Sequence, residues 1–190
     1  SKYFKINAME KKIFDGYQFN DELMEFDNCT FNKSDFSNFD FSTFEFTECT
    51  FNSCDFSMAC LTNTVLSGVN FINCKLLGVD FSRCSKFAYS VKFENCILDY
   101  CSFIRNNLGK VIFRNTSIRE ATFSETNLSS ASFTNCDLER TVFEKCNLEG
   151  CDFTTASNYH IDPSANKVRK ARFSYPGLLG LLTCYGIIIE

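Results

Sequence analysis

Phe26-Asp27-Asn28-Cys29-Thr30-Phe31-Asn32-Lys33-Ser34-Asp35-Phe36 sets the pattern that decides the fold. Every fifth residue is a large apolar one, and the run holds through Phe41, Phe46, Phe51, Phe56, Leu61, Leu66, Phe71 and Leu76 to Phe81. It restarts at Phe93 and continues through Leu98, Phe103, Leu108, Phe113, Ile118, Phe123, Leu128, Phe133, Leu138, Phe143 and Leu148 to Phe153. A helix turns about 100° per residue, so a five-residue period winds around it instead of striping one face. A strand alternates faces, so an odd period throws successive Phe side chains to opposite sides. The ladder points one way only if the chain turns once per repeat. A right-angle turn every five residues closes a square in four repeats, and stacked squares make a solenoid with an axial Phe/Leu core. The period alone leaves three sides or four open.

The flanking positions agree. Two residues before each ladder residue stands a small or compact side chain, as at Cys29, Ser34, Cys49, Cys54, Ala59, Thr64, Cys74, Cys96, Cys101, Ala121, Cys136, Cys146 and Cys151. Close stacking of coils demands small side chains there. Phe39 and Phe44 break that rule and are expected to fill the core near the amino end. Asp, Asn, Ser or Thr often precedes the ladder residue, as in Ser34-Asp35-Phe36, Cys54-Asp55-Phe56 and Cys151-Asp152-Phe153, which suits solvated turns.

These repeats resemble the pentapeptide repeat family over about 130 residues. The resemblance implies an all-β fold, a right-handed quadrilateral parallel β-helix. A short C-terminal helix and strand are expected to follow. The division expected is residues 1–156 as β-helix with an N-terminal cap, and 157–190 as loop, helix and strand forming a cap and dimerisation segment. Pro176 suits the first turn of that helix, Gly186 its end, and Gly186-Ile187-Ile188-Ile189-Glu190 reads as a terminal strand.

Composition narrows the chemistry. Twelve cysteines in 190 residues would suggest a disulfide framework in a short secreted chain. Nine of them occupy the small inward position, where a free thiol serves as a compact hydrophobe. Structural thiols in a reducing cytoplasm are the expectation. No Cys-X-X-Cys motif is present, His160 is the only histidine, and glycine is scarce. Catalytic, cofactor-binding and metal-binding residues are therefore expected to be absent. No run of about 18 apolar residues spans a bilayer.

The ladder breaks register twice. Phe81 to Phe93 is two residues longer than two repeats, and Phe19 to Phe26 is two longer than one, with Phe14 to Phe19 read as an additional repeat. Charge is uneven. Residues 1–60 carry eleven Asp/Glu and five Lys/Arg, whereas residues 161–190 carry four basic and two acidic side chains. An acidic amino end disfavours direct binding to nucleic acid and suits a protein that itself binds DNA.

Cys54-Asp55-Phe56-Ser57-Met58-Ala59 and the tail from Leu178 to Ile189 are most similar to the quinolone-resistance (Qnr-like) branch of the family. That likeness implies a cytoplasmic, non-enzymatic rod that mimics DNA, binds DNA gyrase or topoisomerase IV, and protects it from quinolones. The known members carry two sizeable projecting loops; here each register break adds only two residues, so no loop contact is carried over. The alternative is a protein-interaction scaffold without quinolone protection. Asp35, Asp40, Glu45 and Asp55 are the candidate partner-binding residues. Leu178, Leu179, Leu181, Leu182, Ile187 and Ile188 are the candidate homodimer interface, because one rod end cannot bury them all.

Overall fold

The computed structural model describes residues 8–19 and 24–188. Every strand pair in it is parallel, and the register is twenty residues: Phe26 pairs with Phe46, Phe31 with Phe51, Phe51 with Phe71 and Phe113 with Phe133. Twenty residues at five per side is four sides, which settles the count that the period left open. Side I carries Ala8–Glu10, Glu25–Asp27, Glu45–Thr47 and Val65–Ser67. Side II carries Ile13–Asp15, Thr30–Asn32, Thr50–Asn52, Val69–Ile72, Val91–Glu94, Ile112–Arg114 and Ser132–Thr134. Sides III and IV are joined mostly by single bridges, such as Asp35 to Asp55 and Asp40 to Cys60. The solenoid makes about seven turns from Phe14 to Phe153, near 34 Å at about 4.8 Å per turn.

The ladder is the core. Phe31, Phe41, Phe51, Phe81, Phe93, Phe103, Phe113, Phe123, Phe133 and Phe153 are completely buried. Past Phe81 the ladder alternates Phe with an aliphatic residue. Phe therefore lines two opposite walls, II and IV, while Leu and Ile line I and III. Rings stack coil on coil along each Phe wall, as Phe93 on Phe113 at 5.4 Å and Phe103 on Phe123 at 4.8 Å. Across the axis they meet edge to face, Phe103 and Phe113 at 6.2 Å. Both arrangements suit the ring quadrupole.

Most corners take one left-handed residue, two positions after the ladder. Asn28, Lys33, Asn38, Thr43, Glu48, Ser53, Met58 and Asn63 all have φ between 50° and 70°, and the rule continues along the rod. Left-handed backbone costs a residue with a Cβ about 1–2 kcal/mol. The β-branched Thr43, at φ 70°, is the least suited to it. Thr43→Gly should therefore raise stability by about 0.5–1 kcal/mol after the unfolded-state cost of glycine, and Thr43→Ala should change it little. Denaturant midpoints of the two variants check this.

The amino end departs from the expected spacing. Phe14 pairs with Phe31 and Met9 with Phe26, a register of seventeen residues, so the first coil is three residues short. Phe19 does not form a side. Its ring lies 5.2, 5.3, 4.9 and 5.2 Å from Phe26, Phe31, Phe36 and Phe41, one ladder residue from each wall. Phe19 thus sits across the axis and plugs the column, with Phe39 and Phe44 packed beside it.

The carboxyl end also differs in detail. Coiling runs past Phe153: Asn147 bridges Lys167, Asp152 bridges Arg172, and Phe173 stacks on Phe153 at 5.3 Å. Buried Tyr159 then closes the axis against both rings. A helical segment follows, with Pro176 in its first turn, the α-helix Leu179–Leu182, and Gly186 in the left-handed conformation at its end. Gly177 and Gly180 let it lie on Tyr159, since a Cβ on Gly180 would come 2.2 Å from the Tyr159 carbonyl oxygen. Ile187 and Ile188 are not in a strand, and the rest of the expected terminal strand lies outside the described residues.

Candidate functional site

The inward small position does more than save space. Its side chains donate to the ladder carbonyl of the coil before: Cys49 Sγ to Phe26 O, Cys54 Sγ to Phe31 O, Thr64 Oγ1 to Phe41 O, Asn106 Nδ2 to Phe81 O and Thr126 Oγ1 to Phe103 O. That explains why Cys, Thr and Asn recur there, a reason that size alone does not supply. Thr126→Val should cost about 1–2 kcal/mol while conserving volume, measured by denaturant unfolding.

All twelve cysteines are free thiols, and only Cys60 and Cys184 are not buried. Burial pushes the thiols of Cys49, Cys84, Cys136 and Cys151 up to about 12. A native thiol titration at neutral pH should therefore count only Cys184 and Cys60, and a denatured one all twelve. Among the described residues no three His, Cys, Asp or Glu side chains cluster as metal ligands. His160 is exposed and sits 3.1 Å from Thr183 Oγ1, linking the last coil to the tail. A groove of about 740 Å³ opens there, lined by Glu139, Arg140, Asn158, His160 and Leu179. No helix among the described residues is long and apolar enough to cross a membrane.

Several opposite charges on sides II to IV and their corners stack and pair between neighbouring coils: Lys75 with Asp55 at 3.4 Å, Arg105 with Glu125 at 3.1 Å, Arg119 with Asp137 at 2.6 Å, Arg140 with Glu120 at 3.5 Å and Arg172 with Asp152 at 3.2 Å. Side I has the densest run of acids. Glu10, Glu25, Asp27, Glu45 and Glu48 stack at its amino end, with Lys11 beside them. Among the described residues, exposed Asp27 and Glu48 make no ion pair. Gly68 lies beside Glu48, whose exposed carboxylate folds over the space a Cβ there would take.

The four acidic residues singled out from sequence do not share one side. Asp35 and Asp55 stack on side III, Asp40 lies on side IV and Glu45 on side I. Asp35, Asp40 and Asp55 each accept the backbone N–H two residues on, from Ser37 at 3.0 Å, Ser42 at 2.9 Å and Ser57 at 2.8 Å. The Ser42 hydrogen bonds hold the Asp40 carboxyl below its ordinary range. These carboxylates shape turns, and Asp55 is also paired. Asp27 and Glu48 are the acids sequence reading missed; grouping residues by twenty, one side at a time, finds them.

In the tail, Leu178, Leu179, Ile187 and Ile188 are exposed, Ile188 at 88%. Leu181 and Leu182 are half-buried, and Leu181 packs on the core. Tyr175 and Tyr185 extend the exposed apolar surface. Nothing in the described chain covers it.

A four-sided parallel solenoid with a close-packed axis is a repeat scaffold. The sequence profiles agree: a pentapeptide repeat region matches residues 85–162, and pentapeptide repeats match residues 29–68 and 65–85. The chain belongs to the pentapeptide repeat family. Its fold is similar to a trypsin-treated form of QnrB1, a plasmid-mediated fluoroquinolone resistance protein, with TM-score 0.64, 22% identity, and coverage of 97% of this chain and 100% of that one. It is also similar to HetL, a pentapeptide repeat protein involved in heterocyst differentiation regulation from the cyanobacterium Nostoc sp. strain PCC 7120, with TM-score 0.56, 15% identity, and coverage of 88% and 84%. At these identities the likeness is one of fold. No curated protein sequence matches the chain.

Proposed function

We propose that the chain is a non-enzymatic cytoplasmic rod that docks in a basic groove otherwise occupied by DNA, with a type II topoisomerase as partner, DNA gyrase first and topoisomerase IV second. The observation that carries this reading is the acidic stretch of side I, where five acidic side chains stack at the amino end and, among the described residues, exposed Asp27 and Glu48 make no ion pair. Unpaired carboxylates at the regular rise of a parallel sheet present a linear array of negative charge, which steers encounter with a basic surface. The fold likeness to QnrB1 supports the same reading. The tail apolar surface joins two rods end to end and sets one acidic stretch at each outer end. A supercoiling assay, run with and without a quinolone, tests this: the chain should alter gyrase activity or relieve drug inhibition.

A second reading is a scaffold for another partner, without quinolone protection. It is favoured by the register break at 82–92, which lengthens its coil by only two residues, so that Val69 pairs with Val91 and no large loop projects. A chain inert in both arms of the assay selects it.

A further inference from the structure

Each coil hydrogen-bonds the next in a fixed way. Leu148 N, Gly150 N and Phe153 N donate to the carbonyls of Lys167, Arg169 and Arg172 at 2.8, 2.9 and 2.8 Å, and the carbonyls of Cys146 and Cys151 accept from Lys167 N and Arg172 N at 3.0 and 2.8 Å. The corresponding groups of the last coil are the N–H groups of Val168, Lys170 and Phe173 and the carbonyls of Asn166 and Ala171. Among the described residues none of these has a hydrogen-bond partner. The tail supplies none, because it lies over Tyr159, where Ile161 N donates to Gly180 O at 3.0 Å. The apolar positions are uncovered as well. Val168 and Phe173 are only half-buried, whereas Leu148 and Phe153, one coil back, are completely buried. Sides I and II of the last coil are thus an open edge of parallel sheet. The side chains around it are basic. Lys167, Arg169 and Lys170 are exposed, and among the described residues their side chains make no ion pair, while Arg172 pairs with Asp152. Exposed charge occurs on every side of the rod; here it adjoins unpaired backbone.

We propose that sides I and II of the last coil take up an extended acidic segment of a partner protein, which adds in parallel as a further half-coil. Backbone bonding supplies the attachment and side chains supply the selection. In the added segment, the residue over Lys167 accepts from Val168 N and donates to Asn166 O. The residue over Arg169 accepts from Lys170 N. The residue over Arg172 accepts from Phe173 N and donates to Ala171 O. These three residues stand beside the basic row and are acidic in the fitting partner. The residues over Val168 and Phe173 face the axis and are apolar. The chain turns at Lys170, φ 60°, so the residue over it is glycine or asparagine. The fitting segment therefore reads acid, apolar, acid, glycine, small, acid, apolar. The site shares the carboxyl end with the tail contact and does not depend on any topoisomerase.

The test uses the full chain carrying Leu179→Asp and Ile188→Asp, so that end-to-end pairing leaves the edge free. The probe is the fluorescein-labelled peptide Glu-Leu-Glu-Gly-Ala-Glu-Phe. Fluorescence anisotropy at low salt should show saturable binding that weakens as salt rises. A scrambled peptide of the same composition should bind about tenfold more weakly, as should a peptide N-methylated at its third Glu, which cannot donate to Ala171 O. Arg169→Glu with Lys170→Glu should weaken binding of the original peptide by about tenfold at an unchanged denaturation midpoint. No binding by the parent chain would reduce the basic residues to guards of the edge. Equal binding of the scrambled or N-methylated peptide would leave only charge attraction. Particles larger than one copy in the absence of peptide would give the edge to another copy's first coil. Each of these results would overturn the proposal.

Discussion

Phe103→Ala will lower stability by about 3–5 kcal/mol, the cost of a core cavity that cannot collapse. The ring is completely buried, stacked between Phe81 at 4.9 Å and Phe123 at 4.8 Å, and meets Phe93 and Phe113 edge to face at 6.2 Å each. A solenoid offers little relief, because each coil is held only by its two neighbours. Arg105, two residues on, makes a two-bond pair with Glu125 at 3.1 and 3.2 Å on the surface. An exposed pair is worth under about 1 kcal/mol, so Arg105→Ala should be mild. Denaturant unfolding of the two variants separates ladder from surface; equal midpoints would contradict the inward assignment.

The second large effect falls on assembly. Leu179→Asp with Ile188→Asp should halve the mass seen by light scattering at physiological salt. Both side chains are exposed, at 52% and 88%, so the substitutions leave the packed part of the tail intact. Leu181 is a poorer choice, since it packs on the core and its replacement would also loosen the end cap. A mass unchanged by the double substitution would reduce the tail to a cap. If the variant is monomeric and acts on gyrase as before, docking needs only one rod.

Much of this fold was legible because the period is short and the ladder residues are large. Phe26 to Phe81 and Phe93 to Phe153 declare their burial by spacing alone, and each lies on the axis. Four sides became certain only from the pairing of residues twenty apart. The amino end was misjudged because Phe19 keeps the five-residue spacing from Phe14 yet turns its ring across the axis, close to a ladder residue of every wall. The last coil was missed because Val168 and Phe173 follow a polar loop that masks the register. Hydrogen bonding by the inward thiols and hydroxyls is invisible to a rule about size.

The candidate surface was only partly legible. A run of carboxylates reads as one acidic region along the chain, but five-residue turns send neighbours such as Asp35, Asp40 and Glu45 to three different sides. The informative neighbours are twenty residues apart. Only that grouping separates Asp55, neutralised by Lys75, from Asp27 and Glu48.

Competition for gyrase between the rod and a short labelled DNA duplex tests the central claim most directly. The wild-type chain should displace the duplex, more strongly at low salt than at high. The chain with Asp27→Lys and Glu48→Lys should fail to displace it while unfolding at the same denaturant midpoint. Equal displacement by both chains, or binding of the rod to gyrase that leaves the duplex in place, would contradict the account.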